Sequence, residues 1–333
     1  MDTSRAFARR SLTGAAVLVV VLLACSCGPR PEPQAATTTD TAPFTIIALP
    51  DTQIYAESFP DIFYNQTEWI KANAEKLNIV CVLHEGDITN RNSAKEWEVA
   101  DKALSTLDGV VPYCLVPGNH DTGPGGGRGT RDTEFLDEHF PPSRFEGKPW
   151  YGGSFEEGTI KNAYYTFEAA GMTFLVVCLE FGPRDEALEW ASEVVAEHKD
   201  RKVIVVTHCY MFSDDTRVGP SDGGSPHGYP NGGNDGEEIW TKLVGKHENI
   251  VLVLSGHICG DGAGRLTSEG EHGNPIHELL ANYQMMEKGG NGWLRIMTFV
   301  PDEDKIVVST YSPLLDKYLE DDENKFELEL EMK

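Results

Sequence analysis

The sequence is short of positive charge: 28 Lys and Arg stand against 53 Asp and Glu in 333 residues, a formal net charge of −25. A protein that grips a phosphate backbone does so with Lys and Arg that displace counterions, and no basic stripe is present here, which argues against long DNA or RNA as a partner. Long apolar runs are also lacking. The most hydrophobic stretch, Gly14–Ala24, falls well short of the ~20 residues a spanning helix needs, which excludes a multi-span membrane protein. No repeat of solenoid length is visible. Cysteine is sparse, seven in all, and Cys81, Cys114 and Cys178 sit inside apolar runs, the setting of small buried thiols and not of a disulfide framework. Cys209 and Cys259 each follow a histidine by one or two residues, and the sequence leaves them open between a mutual disulfide, free thiols and a part in local chemistry. What is present, 40% hydrophobic and 24% charged residues with 33 Gly and 19 Pro, is the composition of a loop-rich globular protein. The acidity suits a chain that gathers divalent cations.

At the N-terminus, Arg5, Arg9 and Arg10 precede the apolar run, in the pattern of a signal peptide. Leu22-Leu23-Ala24-Cys25 resembles the lipobox of bacterial lipoproteins, which implies a signal over residues 1–24, lipidation at Cys25 and an exported protein held at a membrane by lipid alone. Residues 25–43, with their Pro and Thr, read as a tether, and a single domain is expected over 44–333.

Six apolar, β-branched runs read as buried strands: Phe44–Pro50, Ile79–Leu83, Val110–Val116, Met172–Leu179, Lys202–Thr207 and Asn249–Leu254. Helical segments fall between them at Asp61–Leu77, Ser93–Leu107, Asp185–His198 and Glu237–Lys246. This alternation predicts an α/β fold. Later strands at Trp293–Val300 and Lys305–Tyr311 predict a second sheet, and the alternation of Phe326, Leu328, Leu330 and Met332 with acidic residues predicts a half-exposed edge strand.

The strands end in polar residues: Asp51-Thr52-Gln53, Gly86-Asp87, Gly118-Asn119-His120-Asp121, Thr207-His208 and Gly256-His257. Ligands of open α/β sheets bind beyond the carboxyl ends of strands, so these groups should converge. Carboxylates, amide oxygens and imidazoles are the donors of borderline-to-hard divalent metals, and two metals are chemically plausible. Taken singly, each residue has a structural explanation as a turn or cap former; their joint order points to a site.

The order DTQ, GD, GNHD, TH, GHIC resembles the calcineurin-like metallophosphoesterases, whose pattern runs DxH, GD, GNH(D/E), a lone His and GHxH. The resemblance covers about Phe44 to Ser312 and implies a four-layer α/β/β/α sandwich of two mixed sheets. By position it implies Asp51 and Gln53 as ligands of one metal, Asn119, His208 and His257 as ligands of another, and Asp87 as the bridging carboxylate. It further implies His120 as the uncoordinated catalytic histidine, with Asp121 orienting it. The chain departs from the pattern twice, both times at the first metal: Gln53 stands for a His and Cys259 for the last His. Cys259 is a further candidate ligand, and the Asp51/Gln53 site is expected to be weak or empty.

The resemblance implies two divalent metals among Fe, Mn and Zn, and hydrolysis of a phosphate ester by metal-activated hydroxide, with His120 assisting the leaving group. The substrate class left open is a small or lipid-derived ester, mono- or diester. The alternative is a degenerate binding or scaffold protein of the same fold. The Gly-rich stretch Gly123–Arg131 and the loop Tyr210–Gly236 are expected to rim the site, with Asn90, Tyr210 and Arg217 as candidate substrate contacts.

Overall fold

The computed structural model describes residues 41–126 and 129–332. The signal peptide, Cys25 and nearly all of the tether lie outside the described residues. Fourteen strands occur among those described: β1 Phe44–Leu49, β2 Ile79–His84, β3 Tyr113–Leu115, β4 Tyr151–Ser154, β5 Ala163–Ala169, β6 Met172–Leu179, β7 Lys202–Thr207, β8 Ile250–Ser255, β9 Ala263–Glu269, β10 Pro275–Ala281, β11 Leu294–Val300, β12 Lys305–Ser312, β13 Lys317–Leu319 and β14 Lys325–Glu329. The α-helices are α1 Gln53–Ser58, α2 Pro60–Asn73, α3 Ala94–Leu104, α4 Glu134–His139, α5 Asp185–Glu197 and α6 Gly236–Lys242.

The strands form two seven-stranded mixed sheets. One runs β13-β12-β11-β1-β2-β3, with β14 also on β12; the other runs β4-β5-β6-β7-β8-β10-β9. In the first, β1, β2 and β3 are parallel and β11 is antiparallel to β1. In the second, β6, β7, β8 and β10 are parallel.

The side-chain period of two explains how one strand serves two interfaces. In β6, Phe174, Val176 and Cys178 face the core between the sheets, while Leu175, Val177 and Leu179 join the outer cluster with Leu188, Ala191 and Val195 of α5. Burial on both faces requires a continuous apolar run, which is how these parallel strands read in sequence. Phe174 lies edge-on to Phe44 of β1 (5.6 Å) and Phe299 of β11 (5.8 Å), so these aromatics join the two sheets. On the other outer face Phe63 and Ile70 of α2 and Trp97 and Leu104 of α3 are buried. Helix α3 begins in a capping box between Ser93 and Glu96.

The expected run Val110–Val116 contracts to Tyr113–Leu115, because the N–H groups of Val110 and Val111 turn back onto Leu107 O and Pro112 offers no N–H to the ladder. Five strands absent from the sequence reading, β4, β5, β9, β10 and β13, are short, polar or Gly-bearing. The expected edge strand is β14, buried at Phe326 and Leu328 and exposed at the residues between.

Candidate metal centre

The carboxyl ends of β1, β2, β3, β7 and β8 meet at one edge of the sandwich. Gly256 N donates to His208 O (3.0 Å) within one sheet and Thr52 N to Asp87 O (3.1 Å) within the other, and His208 Nδ1 meets Glu85 O at 2.8 Å, which ties the two sheets together across the site. Two motif glycines are required by this crowding. A Cβ at Gly118 would collide with the Asp87 carboxylate, and one at Gly256 with Asp51 Oδ1. Asp87 (φ 47°) and His257 (φ 71°) both hold left-handed backbone, a conformation that a non-glycine residue adopts at a cost and that recurs at functional sites.

Asp87 is the hub. Its Oδ1 accepts from His120 N (2.9 Å) and lies 3.2 Å from His208 Nε2, while Oδ2 accepts from Gln53 Nε2 (3.0 Å). Asp87, His208 and His257 present ligand atoms within 4.8 Å of one another, and the two imidazoles stand edge to face at 5.0 Å. His257 Nε2 meets Gly224 O at 2.8 Å, which leaves Nδ1 as its free nitrogen. In the same way His208 keeps Nε2 free of backbone.

Electrostatics follow from burial. Desolvation opposes ionisation of Asp87, but the neighbouring His208 overrides it and holds the carboxyl well below the usual range. Burial works to lower His208, yet Asp87 and Asp51 raise it to about 10. Burial, followed by the His208 charge, pushes His257 down to about 4. Asp51 is raised, chiefly by burial; a cation beside it acts in the opposite sense.

The residues present fit a divalent cation. Gln53 Oε1 and Asn119 Oδ1 are fully buried and accept no hydrogen bond, and the one neighbour of His208 Nε2 given by the structure is the Asp87 carboxylate. An unsatisfied buried polar atom costs about 1–3 kcal/mol, and two such oxygens beside a carboxylate–imidazole cluster are what a cation would satisfy. Oxygen and imidazole donors together suit Mn, Fe and Zn.

The family model for calcineurin-like phosphoesterases matches residues 44–261. The chain belongs to this family. The family's description names phosphoesterases. A relative, the uncharacterized protein YvnB of Bacillus subtilis, is 35% identical over 304 residues, covering 87% of this chain and 22% of that protein. The chain thus spans about a fifth of the length of that relative. The probable glycerophosphodiester phosphodiesterase GpdQ of Arcobacter nitrofigilis is 23% identical over 64% of this chain and 71% of its own. Purple acid phosphatase PPD1 of yellow lupin superposes with a TM-score of 0.54 at 13% identity, over 88% of this chain and 55% of its own, and shares the fold.

The strand-end residues Asp51, Gln53, Asp87, Asn119, His120, His208 and His257 are brought together as the sequence predicts. Two expectations need correction. Asp121 does not touch the His120 ring. Its Oδ2 accepts from Ile88 N and Gly118 N (both 2.9 Å), and Oδ1 accepts from Thr89 N (2.7 Å) and Thr89 Oγ1 (2.9 Å), so the carboxylate is consumed in tying the Asp87 loop to the Asn119 loop. The acceptor on His120 Nδ1 is instead the backbone carbonyl of Asn90 at 2.7 Å, which gives the Asn90 backbone a part in orienting the histidine. Tyr210 and Arg217 do not line the site either. Both bond to Glu278, Tyr210 Oη at 2.6 Å and Arg217 Nε at 2.5 Å, with Arg217 stacked over Trp240, in a buried ionic cluster on the outer face of the second sheet.

Cys209 and Cys259 are both free thiols. Cys209 faces Gly224 O, whereas Cys259 Sγ lies 3.5 Å from Gln284 Nε2. The rim is tied down by Arg131, whose guanidinium reaches the carbonyls of Phe181, Gly182, Asn231 and Gly232. A separate group, His227, Asp235 and Glu238, also gathers donor atoms. It is accounted for by the capping box of α6, with Lys242 Nζ 3.7 Å from Glu238 supplying a positive charge.

Sequence reasoning missed Gln284, which contacts Asp51, Gln53 and Cys259. The signal was available: Asn282-Tyr283-Gln284 is another polar strand end, concealed because His277 and Glu278 interrupt the apolar run of β10.

Proposed function

We propose that this chain is a hydrolase of small or lipid-derived phosphate esters that works with two divalent cations. The observation that carries the reading is that Gln53 Oε1 and Asn119 Oδ1 are buried without protein partners, beside the Asp87, His208 and His257 cluster of ligand atoms. Asn119, His208 and His257 would hold one cation, Asp51 and Gln53 the other, and Asp87 both. Bound cations supply Lewis acidity toward phosphoryl oxygens and lower the pKa of water.

The chain's own residues provide the rest. The Asn90 carbonyl holds a proton on His120 Nδ1 and fixes the ring, so Nε2 is the atom that exchanges a proton with the leaving oxygen. Asp87 accepts from His120 N, so one carboxylate sets both the cation site and the backbone that carries the histidine. Arg131 keeps the loops around 182 and 232 in place at the rim.

Diester hydrolysis is favoured by the relative whose name reads probable glycerophosphodiester phosphodiesterase. Export and lipid anchoring through Cys25 belong to the same reading, on the strength of the N-terminal pattern, and would bring the site to an envelope surface where lipid-derived esters are met. A degenerate binding protein is disfavoured by His120, whose free Nε2 has no structural duty.

The test is metal content per full chain, with p-nitrophenyl phosphate and its bis-ester assayed on the same sample beside His120→Asn. The expected result is turnover of the bis-ester with bound metal. His120→Asn should retain the metal and lose roughly 10²–10⁴-fold in kcat, the usual worth of a positioned proton donor. A chain that binds no metal and turns over neither ester when Mn, Fe and Zn are supplied refutes the proposal.

A further inference from the structure

Both departures from the family pattern, Gln53 and Cys259, meet on one side chain that the pattern does not contain. Gln284 follows β10, the parallel neighbour of β8, and therefore emerges at the edge where His257 sits. Its backbone N donates to Asn282 Oδ1 at 3.1 Å, which fixes the turn. Its Nε2 lies 3.3 Å from Asp51 Oδ2 and 3.5 Å from Cys259 Sγ, and its Oε1 accepts from Gln53 Nε2. Gln53 Nε2 also donates to Asp87 Oδ2.

The orientation of both amides follows from the donor inventory. An ionised carboxylate only accepts, so Gln284 must turn Nε2 to Asp51 and Gln53 must turn Nε2 to Asp87. Gln284 Oε1 is then satisfied by Gln53. Gln53 Oε1 is what remains, in a side chain 2% exposed and with no partner. The thiol is accounted for separately: besides Gln284 it has Asn282 Nδ2 at 3.9 Å and the His257 carbonyl at 3.9 Å, and it is not among the donor atoms gathered with Asp87.

We propose that Gln284 is the positioning residue of the Asp51 site, turning the Gln53 carbonyl oxygen inward and holding Cys259 outside the coordination sphere. The site is thereby made of oxygens alone, from Asp51, Asp87 and Gln53. All-oxygen sites suit hard cations such as Mn²⁺, whereas the imidazole-bearing site beside it suits the softer metals. The inference rests on the metal-dependent reading above and adds which residue restores the altered half and which cation it takes.

The test uses the full chain stripped of metal and titrated with Mn²⁺, bound ion being counted by electron paramagnetic resonance, alongside a cobalt-loaded sample for its absorption spectrum. Gln284→Leu should weaken one Mn²⁺ site by about 10–100-fold, the usual effect of losing a group that orients a ligand, and leave the other unchanged. Adding Gln53→His to Gln284→Leu should recover the affinity, because an imidazole presents its donor without an amide to turn; a merely structural role for Gln284 predicts no such rescue. Cobalt-loaded wild type should lack a thiolate-to-metal band, and Cys259→Ala should leave both Mn²⁺ affinities intact, measurements that do not depend on how well the Gln284 variant folds. Two unweakened Mn²⁺ sites in Gln284→Leu, or a thiolate band that Cys259→Ala removes, overturns this inference alone. A wild type that binds no cation overturns the functional proposal with it.

Discussion

Replacing Asp121 by Asn takes one acceptor oxygen from a group that satisfies four donors, the backbone N–H groups of Ile88, Thr89 and Gly118 and the hydroxyl of Thr89. The new amide fits best with its NH₂ toward Thr89, because the hydroxyl can reverse and accept; the Thr89 N–H then loses its partner. One buried donor left unsatisfied costs about 1–3 kcal/mol. Part of that returns, since burial makes the native carboxylate costly to ionise and pushes it up to about 7. The expected loss is therefore near the lower end, about 1–2 kcal/mol, or roughly 2–8 °C in Tm at the scale of a domain this large. The functional loss should be larger than the stability loss. Ile88 and Thr89 follow Asp87, and Gly118 precedes Asn119, so the two loops that carry the ligands lose their cross-tie, and metal affinity should fall by about 10–100-fold. The assay is a thermal melt with and without metal, together with metal titration and kcat at saturating metal. If Asp121 served His120 instead, as the family pattern implies, kcat would fall at full metal occupancy with the melt unchanged. That outcome would refute the structural reading.

Arg217→Met should destabilise without touching turnover: Glu278 is fully buried and would be left unpaired at a cost of about 3–5 kcal/mol, while Met keeps contact with Trp240. A normal melt with a collapsed kcat/KM would instead return Arg217 to the substrate. His277, 4% exposed, joins β10 to β14 through Nε2 and Glu329 O at 2.7 Å, and burial lowers its pKa from 6.5. The fold favours its neutral form, so the stability it contributes is complete above about pH 6.5 and is lost as pH falls toward the lowered value. Tm should decline on acidification, and His277→Gln should flatten the slope in part, since His84 and His257 are lowered too. An identical slope in the variant removes His277 from the effect.

The parallel strands were legible because burial on both faces forces a continuous apolar run, and β6 and β7 fall where the sequence puts them. The site was legible because in such a sheet everything useful follows a strand. What escaped the sequence is what depends on three-dimensional proximity. β10 carries His277 and Glu278 for reasons found on other elements, Glu329 for one and Arg217 for the other, and a run broken by such residues reads as a loop. With β10 went Gln284. Asp121 escaped for a different reason: a carboxylate beside a histidine in sequence suggests a pair, but after the turn through Asn119–Asp121 the two side chains reach different points of the loop that follows Asp87, Asp121 at Ile88 and Thr89 and His120 at Asn90. Tyr210 and Arg217 were drawn to the site by a loop whose contribution there is a backbone atom, the Gly224 carbonyl on His257.

The two halves of the site are held by different means, and this bears on where the sequence departs from its family. His208 and His257 are each oriented by a backbone carbonyl, Glu85 and Gly224, and His120 by Asn90, so one nitrogen of each ring is fixed by chain path. Asp51 and Gln53 are oriented chiefly by side chains, through Gln284 and Asp87, although Asp51 Oδ1 also accepts from His257 N at 3.3 Å. A half-site set by backbone tolerates no change of ligand without a change of fold, since the imidazole is the only adjustable part. A half-site set by side-chain amides can exchange one donor for another, provided a partner turns with it. Both departures, Gln53 and Cys259, lie in the second kind, and Gln284 is the side chain that connects them. The family pattern and the local hydrogen bonds therefore divide the site at the same line, with the nitrogen-bearing half rigid by construction and the oxygen-bearing half adjustable.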